Sequence, residues 1–108
     1  MRNKPTASVS ERVYQLLCRI PRGRVVTYGE LARATGCNSP RAIGQILRRN
    51  PNAPAVPCHR VIRSDLTLGG YSGSVDGELA ARKLHLLEAE GVIFVQGRLQ
   101  DPARLWHF

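Results

Sequence analysis

Hydrophobic residues recur at helical spacing along much of the chain, and polar residues mark where each helix begins and ends. The first such segment covers residues 8–20, where apolar positions fall three or four apart behind a candidate N-cap at Ser8 or Ser10. Thr27 has a glutamate three residues later, which is the spacing of a capping box. The sequence therefore predicts a second helix that begins at Thr27 and ends at Gly36.

A third helix is predicted over residues 41–49, because Ser39 is a good N-cap and Pro40 suits a first helical position. Its isoleucines and leucine form one apolar stripe, which leaves its arginines and Gln45 facing outward. Two short helices joined by a tight turn, the second rich in arginine, are typical of a helix-turn-helix unit. A small helical hairpin with a solvated charged face has the same pattern, so both interpretations stay open at this point.

The last third of the chain predicts a helix and then a small β-ribbon. The helix begins after Asp76 and closes at Gly91, and two short extended segments follow at residues 92–95 and 98–99. The pattern as a whole predicts a mainly α-helical winged helix-turn-helix domain with a small β-ribbon. We expect one domain over residues 1–108.

The part of the chain between the third helix and the fourth is a long connection. It covers residues 51–75 and contains three prolines and a glycine-rich end. Connections of this length inside compact domains are usually functional or disordered. We expect the other irregular segment, residues 1–7, to be flexible.

Charge points to the class of partner. The chain has 16 lysine and arginine residues against 8 aspartate and glutamate, a formal net charge of +8. Such an excess favours a polyanion, because each neutralised phosphate releases condensed counterions. An arginine-rich surface on a soluble protein is the alternative. Neither a continuous run of about 20 apolar residues nor a signal-peptide core occurs, so we expect no membrane partner and a cytoplasmic location, nucleoid-associated in a prokaryote.

The three cysteines, Cys18, Cys37 and Cys58, are an odd number at wide spacing, which argues against a disulfide framework. The histidines fall at no zinc-ligand spacing, so we expect no metal. Cys58 is followed by His59 and Arg60, which could assist a reactive thiolate. Neighbouring side chains of an extended segment point to opposite faces, so cooperation between Cys58 and His59 requires a turn or a bridging water. Taken alone, the dipeptide favours a buried structural cysteine.

The wider run, Pro57-Cys58-His59-Arg60-Val61, resembles the active-site signature of the O6-alkylguanine-DNA alkyltransferases. Five further segments resemble that family in the same order, namely residues 23–31 with Tyr28, Arg41-Ala42-Ile43-Gly44, Asn50-Pro51, Tyr71-Ser72-Gly73 and residues 87–91 with Glu90. Any one of these short matches is weak. Six in the right order and spacing, nearly covering residues 8–95, are a strong signal.

The resemblance implies repair of DNA by direct reversal, in which Cys58 takes an alkyl group from O6-alkylguanine after the base is flipped out of the duplex. It further implies that His59 accepts the thiol proton through a water and that Glu90 stabilises the imidazolium. Tyr28 would donate its proton to the departing guanine. The implied transferase acts once and needs no cofactor. Without the resemblance, Tyr28 would be interpreted as a core tyrosine and Glu90 as an exposed carboxylate.

The resemblance also implies a DNA-binding surface, with the third helix in the minor groove and Arg41 filling the gap left by the flipped nucleotide. A phosphate contact is the alternative for Arg41. The implied DNA-contacting residues are Arg41, Ala42, Gly44, Gln45, Arg48 and Arg49, with Gln45 at a position where a small residue is more usual. Asn50 would bracket the helix to the reactive turn. The base pocket would be formed by Val61, Tyr71, Ser72 and Gly73.

The chain departs from the family in length. Most members carry an extra N-terminal domain, whereas only about seven residues precede the first helix here, so we expect the catalytic half alone, a monomer on double-stranded DNA. Alkyltransferase-like proteins, which bind alkylated guanine without repairing it, are also this short, but they usually replace the reactive cysteine. Because Cys58, His59 and Tyr28 are present, we favour a transferase. A winged-helix transcription factor with a structural Cys58 is a third possibility.

Overall fold

A computed structural model of the chain describes residues 8–37, 39–69 and 77–108. The predicted flexible terminus at residues 1–7 and the predicted N-cap at Asp76 lie outside these ranges. The helices are α1 (Val9–Leu17), α2 (Tyr28–Thr35), α3 (Pro40–Arg48) and α4 (Gly77–Ala89), and the strands are β1 (Val26–Thr27), β2 (Val61–Ile62), β3 (Phe94–Val95) and β4 (Arg98–Leu99). Single turns of 3-10 helix lie at Cys58–Arg60 and Pro102–Arg104. None of the described helices has the length and apolar character needed to span a bilayer.

Local capping explains where the first three helices begin. Ser8 caps α1 in a full capping box, the Thr27 hydroxyl accepts from the Glu30 N–H at the start of α2, and the Ser39 hydroxyl accepts from the Ala42 N–H in α3. The Glu30 carboxylate accepts hydrogen bonds from Arg33 and from the backbone N–H of Phe108. The C-terminal end of the chain is thereby fastened to α2.

Helices α2 and α3 form the predicted helix-turn-helix unit. Gly36 ends α2 in the left-handed region, with φ of 76°, which a glycine adopts without steric cost. Ile43 and Leu47 are buried against α1 and α2, whereas Arg41 and Gln45 are exposed. The helical hairpin therefore buries one face of α3 and presents the other to solvent.

The long connection contains more order than its composition suggests. It includes the turn Cys58–Arg60 and strand β2, which pairs in parallel with β1 so that Val26 lies opposite Val61. Strands this short with a distant partner leave little periodic signal, which is why the sequence did not predict the pair. The C-terminal segment adds a further parallel bridge between Val25 and Leu105.

The β-ribbon is the wing of the fold, so the predicted winged helix-turn-helix is confirmed. Strands β3 and β4 are antiparallel, with Phe94 opposite Leu99. The first strand is shorter than the predicted 92–95, because Val92 is fully buried and its N–H donates to the carbonyl of Leu87 at the end of α4. The apolar start of that segment thus belongs to the core.

Candidate functional site

Cys58 lies on a tight turn that is held from the end of α3. Its side chain is buried, and its backbone N–H donates to the carbonyl of Val56 at 2.8 Å. The same carbonyl accepts a hydrogen bond from Asn50 Nδ2, also at 2.8 Å, while Asn50 Oδ1 accepts from the Asn52 N–H. Asn50 therefore ties the end of α3 to the loop that presents Cys58.

In an extended strand, Cys58 and His59 would point to opposite faces. They lie instead on a 3-10 turn, and both side chains are buried. His59 Nε2 lies 2.8 Å from Glu90 Oε2, and both side chains are nearly excluded from solvent. Because a carboxylate only accepts, we assign the hydrogen to Nε2. His59 Nδ1 is buried and has no hydrogen-bond partner within the described part of the chain.

Glu90 receives a second set of hydrogen bonds from Arg60. The Arg60 guanidinium donates to both carboxylate oxygens at 2.9 Å and to the carbonyl of Ile20 at 2.8 Å. The side chain of Glu90 is only 6% exposed, so the alternative of an exposed helix-end carboxylate is wrong. Glu90 fixes the turn through two of its three residues.

The surroundings set the charge state of this pair. Burial opposes ionisation of Glu90, but the hydrogen bonds from Arg60 and His59 outweigh it and lower the pKa of the carboxyl to about 2. Burial lowers the pKa of His59, against the opposing effect of Glu90. At neutral pH the pair is thus a carboxylate beside a neutral imidazole, which can accept a proton at Nδ1.

Tyr28, the first residue of α2, lies half-buried against the core cluster that includes Cys58. Burial raises the pKa of its phenol, and a negative charge on Cys58 acts in the same direction while Arg63 opposes it. The phenol therefore keeps its proton at neutral pH. That is the state required of a proton donor.

Sequence reasoning missed Lys83, which is fully buried beneath this site. Its Nζ donates to the carbonyl of Val61 at 2.7 Å and lies 6.0 Å from the centre of the Tyr28 ring. The available signal was its place on the apolar stripe of α4, four residues before Leu87. A lysine on the apolar stripe of a helix extends its side chain into the protein core.

The outward face of α3 contrasts with this interior. Its side chains Arg41, Gln45, Arg48 and Arg49 are exposed, while Ala42 and Gly44 are half-buried. No hydrogen bond or ion pair joins these four exposed side chains to any described residue. A Cβ atom placed on Gly44 would meet nothing within 4 Å, so packing within the protein does not demand a glycine there. Because glycine has no side chain, the helix backbone is open to close approach at this position, at a cost of about 1 kcal/mol in helix propensity.

Of the residues predicted to form a base pocket, only Val61 is described; Tyr71, Ser72 and Gly73 lie outside the described residues. Val61 is fully buried in β2. Gly69, the last described residue before that segment, has φ of 75°, and a Cβ there would lie 3.6 Å from both Tyr28 Cε2 and Lys83 Nζ. The chain leaves the described region directly beside Tyr28. Among the described residues, no three His, Cys, Asp or Glu side chains form a group that could hold a metal ion.

Comparison with known proteins places this geometry in a family. The model of the DNA-binding domain of 6-O-methylguanine DNA methyltransferase matches residues 8–92. A methylated-DNA–protein-cysteine methyltransferase of Methanothermobacter thermautotrophicus is 48% identical over 81 residues, which are 75% of this chain and 43% of the relative. The protein of the same name from Thermococcus kodakarensis is 45% identical over 83 residues, or 76% and 44%. The chain thus spans less than half the length of these relatives.

Two solved structures share the fold. S. pombe Atl1, in complex with damaged DNA containing O6-carboxymethylguanine, superposes with a TM-score of 0.78 at 33% identity, covering 97% of this chain and 100% of Atl1. The O6-methylguanine-DNA methyltransferase of Pyrococcus kodakaraensis strain KOD1 superposes with a TM-score of 0.68 at 42% identity, covering 81% of this chain and 48% of that one. The first match covers nearly all of this chain and all of Atl1, whereas the second covers about half of the longer methyltransferase.

Proposed function

The chain belongs to the family of the 6-O-methylguanine DNA methyltransferase DNA-binding domain, and on that premise we propose that it repairs double-stranded DNA by moving an alkyl group from O6 of guanine to Cys58. The observation that carries this proposal is the buried pair that His59, on the turn that presents Cys58, forms with Glu90. A structural cysteine needs no such neighbour. A neutral imidazole with one nitrogen held by a carboxylate and the other without a described partner is suited to take a thiol proton.

The transfer step balances with groups in the site. The Cys58 thiol gives its proton to His59 Nδ1 through a water, and Glu90 stabilises the imidazolium that forms. The thiolate sulfur then bonds to the alkyl carbon, while the bond from that carbon to O6 breaks and leaves its electron pair on guanine. Tyr28 donates a proton to the guanine anion, and the imidazolium returns one to Tyr28 through solvent. The net result is a thioether and an intact guanine.

The product explains why the reaction occurs once per molecule. A thioether carbon is a poor site for hydrolysis, and the proposed reaction includes no group that cleaves it. The protein is a stoichiometric reagent, and no cofactor enters the balance. Each repaired guanine therefore consumes one chain.

Access to the base requires the outward face of α3. A base within a duplex exposes no path for in-line attack on its O6 substituent, so it must be rotated out first. The low surface at Ala42 and Gly44 supports close approach of the α3 backbone to a narrow groove. Arg41, at the start of the helix, would fill the space that the base leaves. Arg48 and Arg49 would bind phosphates.

A second candidate function is lesion binding without transfer. The likeness to S. pombe Atl1 over 97% of this chain and all of Atl1 favours it, because that structure holds damaged DNA. The presence of Cys58 beside the His59–Glu90 pair favours transfer. The two functions make opposite predictions about a covalent product.

The test is a mass measurement on the peptide that contains Cys58 after incubation with a duplex carrying O6-methylguanine. Transfer adds one methyl group to that peptide and restores guanine in the DNA. Cys37→Ser is the matched control, since it replaces another cysteine packed at the same core cluster and should leave the product unchanged, whereas Cys58→Ser should give none. Selective binding of the damaged duplex with no adduct on Cys58 would establish lesion binding instead.

A further inference from the structure

Lys83 is a buried charge that the proposed transfer step does not use. It lies on α4 with no exposed surface, and its Nζ donates to the carbonyl of Val61 at 2.7 Å. Lysine is among the residues most rarely buried, because an ammonium loses its hydration there. Val61 is the third residue after Cys58 and begins the strand that follows the reactive turn, so the bond to its carbonyl places the ammonium beside that turn.

The surroundings of Lys83 are those of the reactive cysteine. The ammonium faces the Tyr28 ring at 6.0 Å, and it interacts electrostatically with Cys58 and His59 on the turn and with Arg63 after β2. Arg63 is positive, and Tyr28 and His59 are neutral at neutral pH because their pKa values are raised and lowered respectively. Of these four groups, Cys58 is the one that becomes negative in the transfer step, because its nucleophilic form is the thiolate.

We propose that Lys83 is a positioning residue of the transfer site, whose ammonium holds the Val61 carbonyl and stabilises the thiolate form of Cys58. The inference rests on the proposed function, since a cysteine that does not attack needs no charge partner. Lys83 keeps its own proton throughout, because His59 receives the one from the thiol. The step adds no reactant to the balance given above.

Charge coupling of this kind is reciprocal. Burial lowers the pKa of Lys83 to about 7, and a thiolate at Cys58 raises it against that effect. If the thiolate stabilises the ammonium, then the ammonium stabilises the thiolate by the same free energy. Removing either partner should therefore shift the titration of the other, in opposite directions on the pH scale.

The composition of the chain makes the first half of this test direct. Lys4 and Lys83 are the two lysines, so protein labelled with isotopes in lysine gives two side-chain signals by nuclear magnetic resonance, and Lys4→Arg assigns them. The Lys83 signal should titrate near neutral pH in the unmodified chain. In Cys58→Ser its midpoint should fall by about one pH unit. Cys37→Ser is the matched control and should leave the midpoint in place. Equal midpoints in the unmodified chain and in Cys58→Ser would overturn the proposal.

The second half measures the cysteine. In Lys83→Met, the rate at which iodoacetamide modifies Cys58 should reach its plateau about one pH unit higher, which makes modification about tenfold slower below the midpoint. Arg82→Met removes an exposed charge from the neighbouring position of α4 and should leave the profile unchanged. If Lys83→Met fails to fold, the lysine titration still decides. Both measurements use the free protein without DNA, so their outcome does not depend on whether the protein transfers an alkyl group. The mass measurement on the Cys58 peptide tests transfer by itself.

Discussion

The reactive turn at Cys58–Arg60 and the outward face of α3 are about ten residues apart in the chain and are built in opposite ways. In the turn, His59 and Arg60 share one buried carboxylate, and the backbone before it is tied to Asn50. On α3, the exposed arginines form no hydrogen bond with any described residue. The first region pairs its polar side chains within the protein, apart from His59 Nδ1, whereas the second leaves them for another molecule.

This difference separates residues that contribute to the stability of the folded chain from residues that contribute to its affinity for DNA. Substitutions that break the hydrogen bonds between the turn and Glu90 remove contacts that the folded chain makes with itself, so stability and chemistry should change together. Substitutions on the α3 face remove nothing that the free protein uses, so only affinity for DNA should change. A Glu90 variant of unchanged stability, or an α3 variant that unfolds the protein, would contradict this difference.

The largest effect is expected from Cys58→Ser. A serine hydroxyl is a far weaker nucleophile than a thiolate, so transfer should fall by more than about a thousandfold. Binding of a duplex with O6-methylguanine should stay within about threefold, since the shape of the turn is kept. Single-turnover transfer and fluorescence anisotropy measure the two quantities. Loss of binding along with transfer would show that Cys58 holds the site together and would count against its role as nucleophile.

Glu90→Gln should damage both stability and transfer. It leaves Arg60 and His59 without their buried anion, so the free energy of unfolding should fall by about 3 kcal/mol, as is usual when one partner of a buried pair is removed. Transfer should fall by about a hundredfold because the imidazolium loses its stabilising charge. Glu88→Gln, an exposed neighbour on α4, is the control for urea unfolding and for rate. If the two variants behave alike, Glu90 is no part of the turn's support.

The same carboxylate predicts how stability depends on acid. Because the pKa of Glu90 is lowered to about 2 from 4.5, the unfolded chain binds its proton first as pH falls. The stability that Glu90 contributes is therefore complete above about pH 5 and is lost between about pH 4.5 and 2, by an amount on the order of 3 kcal/mol. Urea unfolding at a series of pH values should show this loss in the unmodified chain and a smaller one in Glu90→Gln. Parallel profiles would contradict the assignment.

The sequence predicted whatever is decided locally. The caps at Thr27 and Ser39 lie within a few residues of the groups they bind, so the helix-turn-helix could be predicted from spacing alone. The pairing of β1 with β2 places Val26 opposite Val61, which is far away in the sequence. Each strand has only two residues, so no hydrophobic periodicity indicates the pair.

The site divides in the same way. Resemblance to the family identified Cys58, but the contacts around it come from residues that are far away in the sequence. Glu90 lies 31 residues beyond His59 along the chain, and it was found because its segment resembles the family. Lys83 lies in none of the segments that resemble the family, so only the packing of α4 shows that it is buried beneath the turn. The spacing of residues predicts helices and strands, whereas contacts between distant residues can be found only from a known relative or from the structure.

Arg41→Ala tests the α3 face at its N-terminal end. Affinity for a duplex with O6-methylguanine should fall by about tenfold, because the gap left by the flipped base is no longer filled. Affinity for undamaged DNA should fall less, and the free energy of unfolding should stay within about 0.5 kcal/mol, since the exposed arginine contacts no described side chain through a hydrogen bond. Anisotropy with both duplexes gives the ratio. Equal losses would make Arg41 a phosphate contact.

The smallest effect is expected from Arg48→Ala, near the end of α3. A phosphate contact carries no sequence or lesion information, so affinity should fall by a few-fold for damaged and undamaged duplexes alike. The slope of log affinity against log salt should become shallower by about one, because one fewer counterion is released. Arg82→Ala, exposed on α4, removes the same charge away from α3 and controls for net charge. An equal change of slope in both variants would mean that overall charge, and not the α3 face, attracts DNA, and the contrast between the two regions would then hold for stability alone.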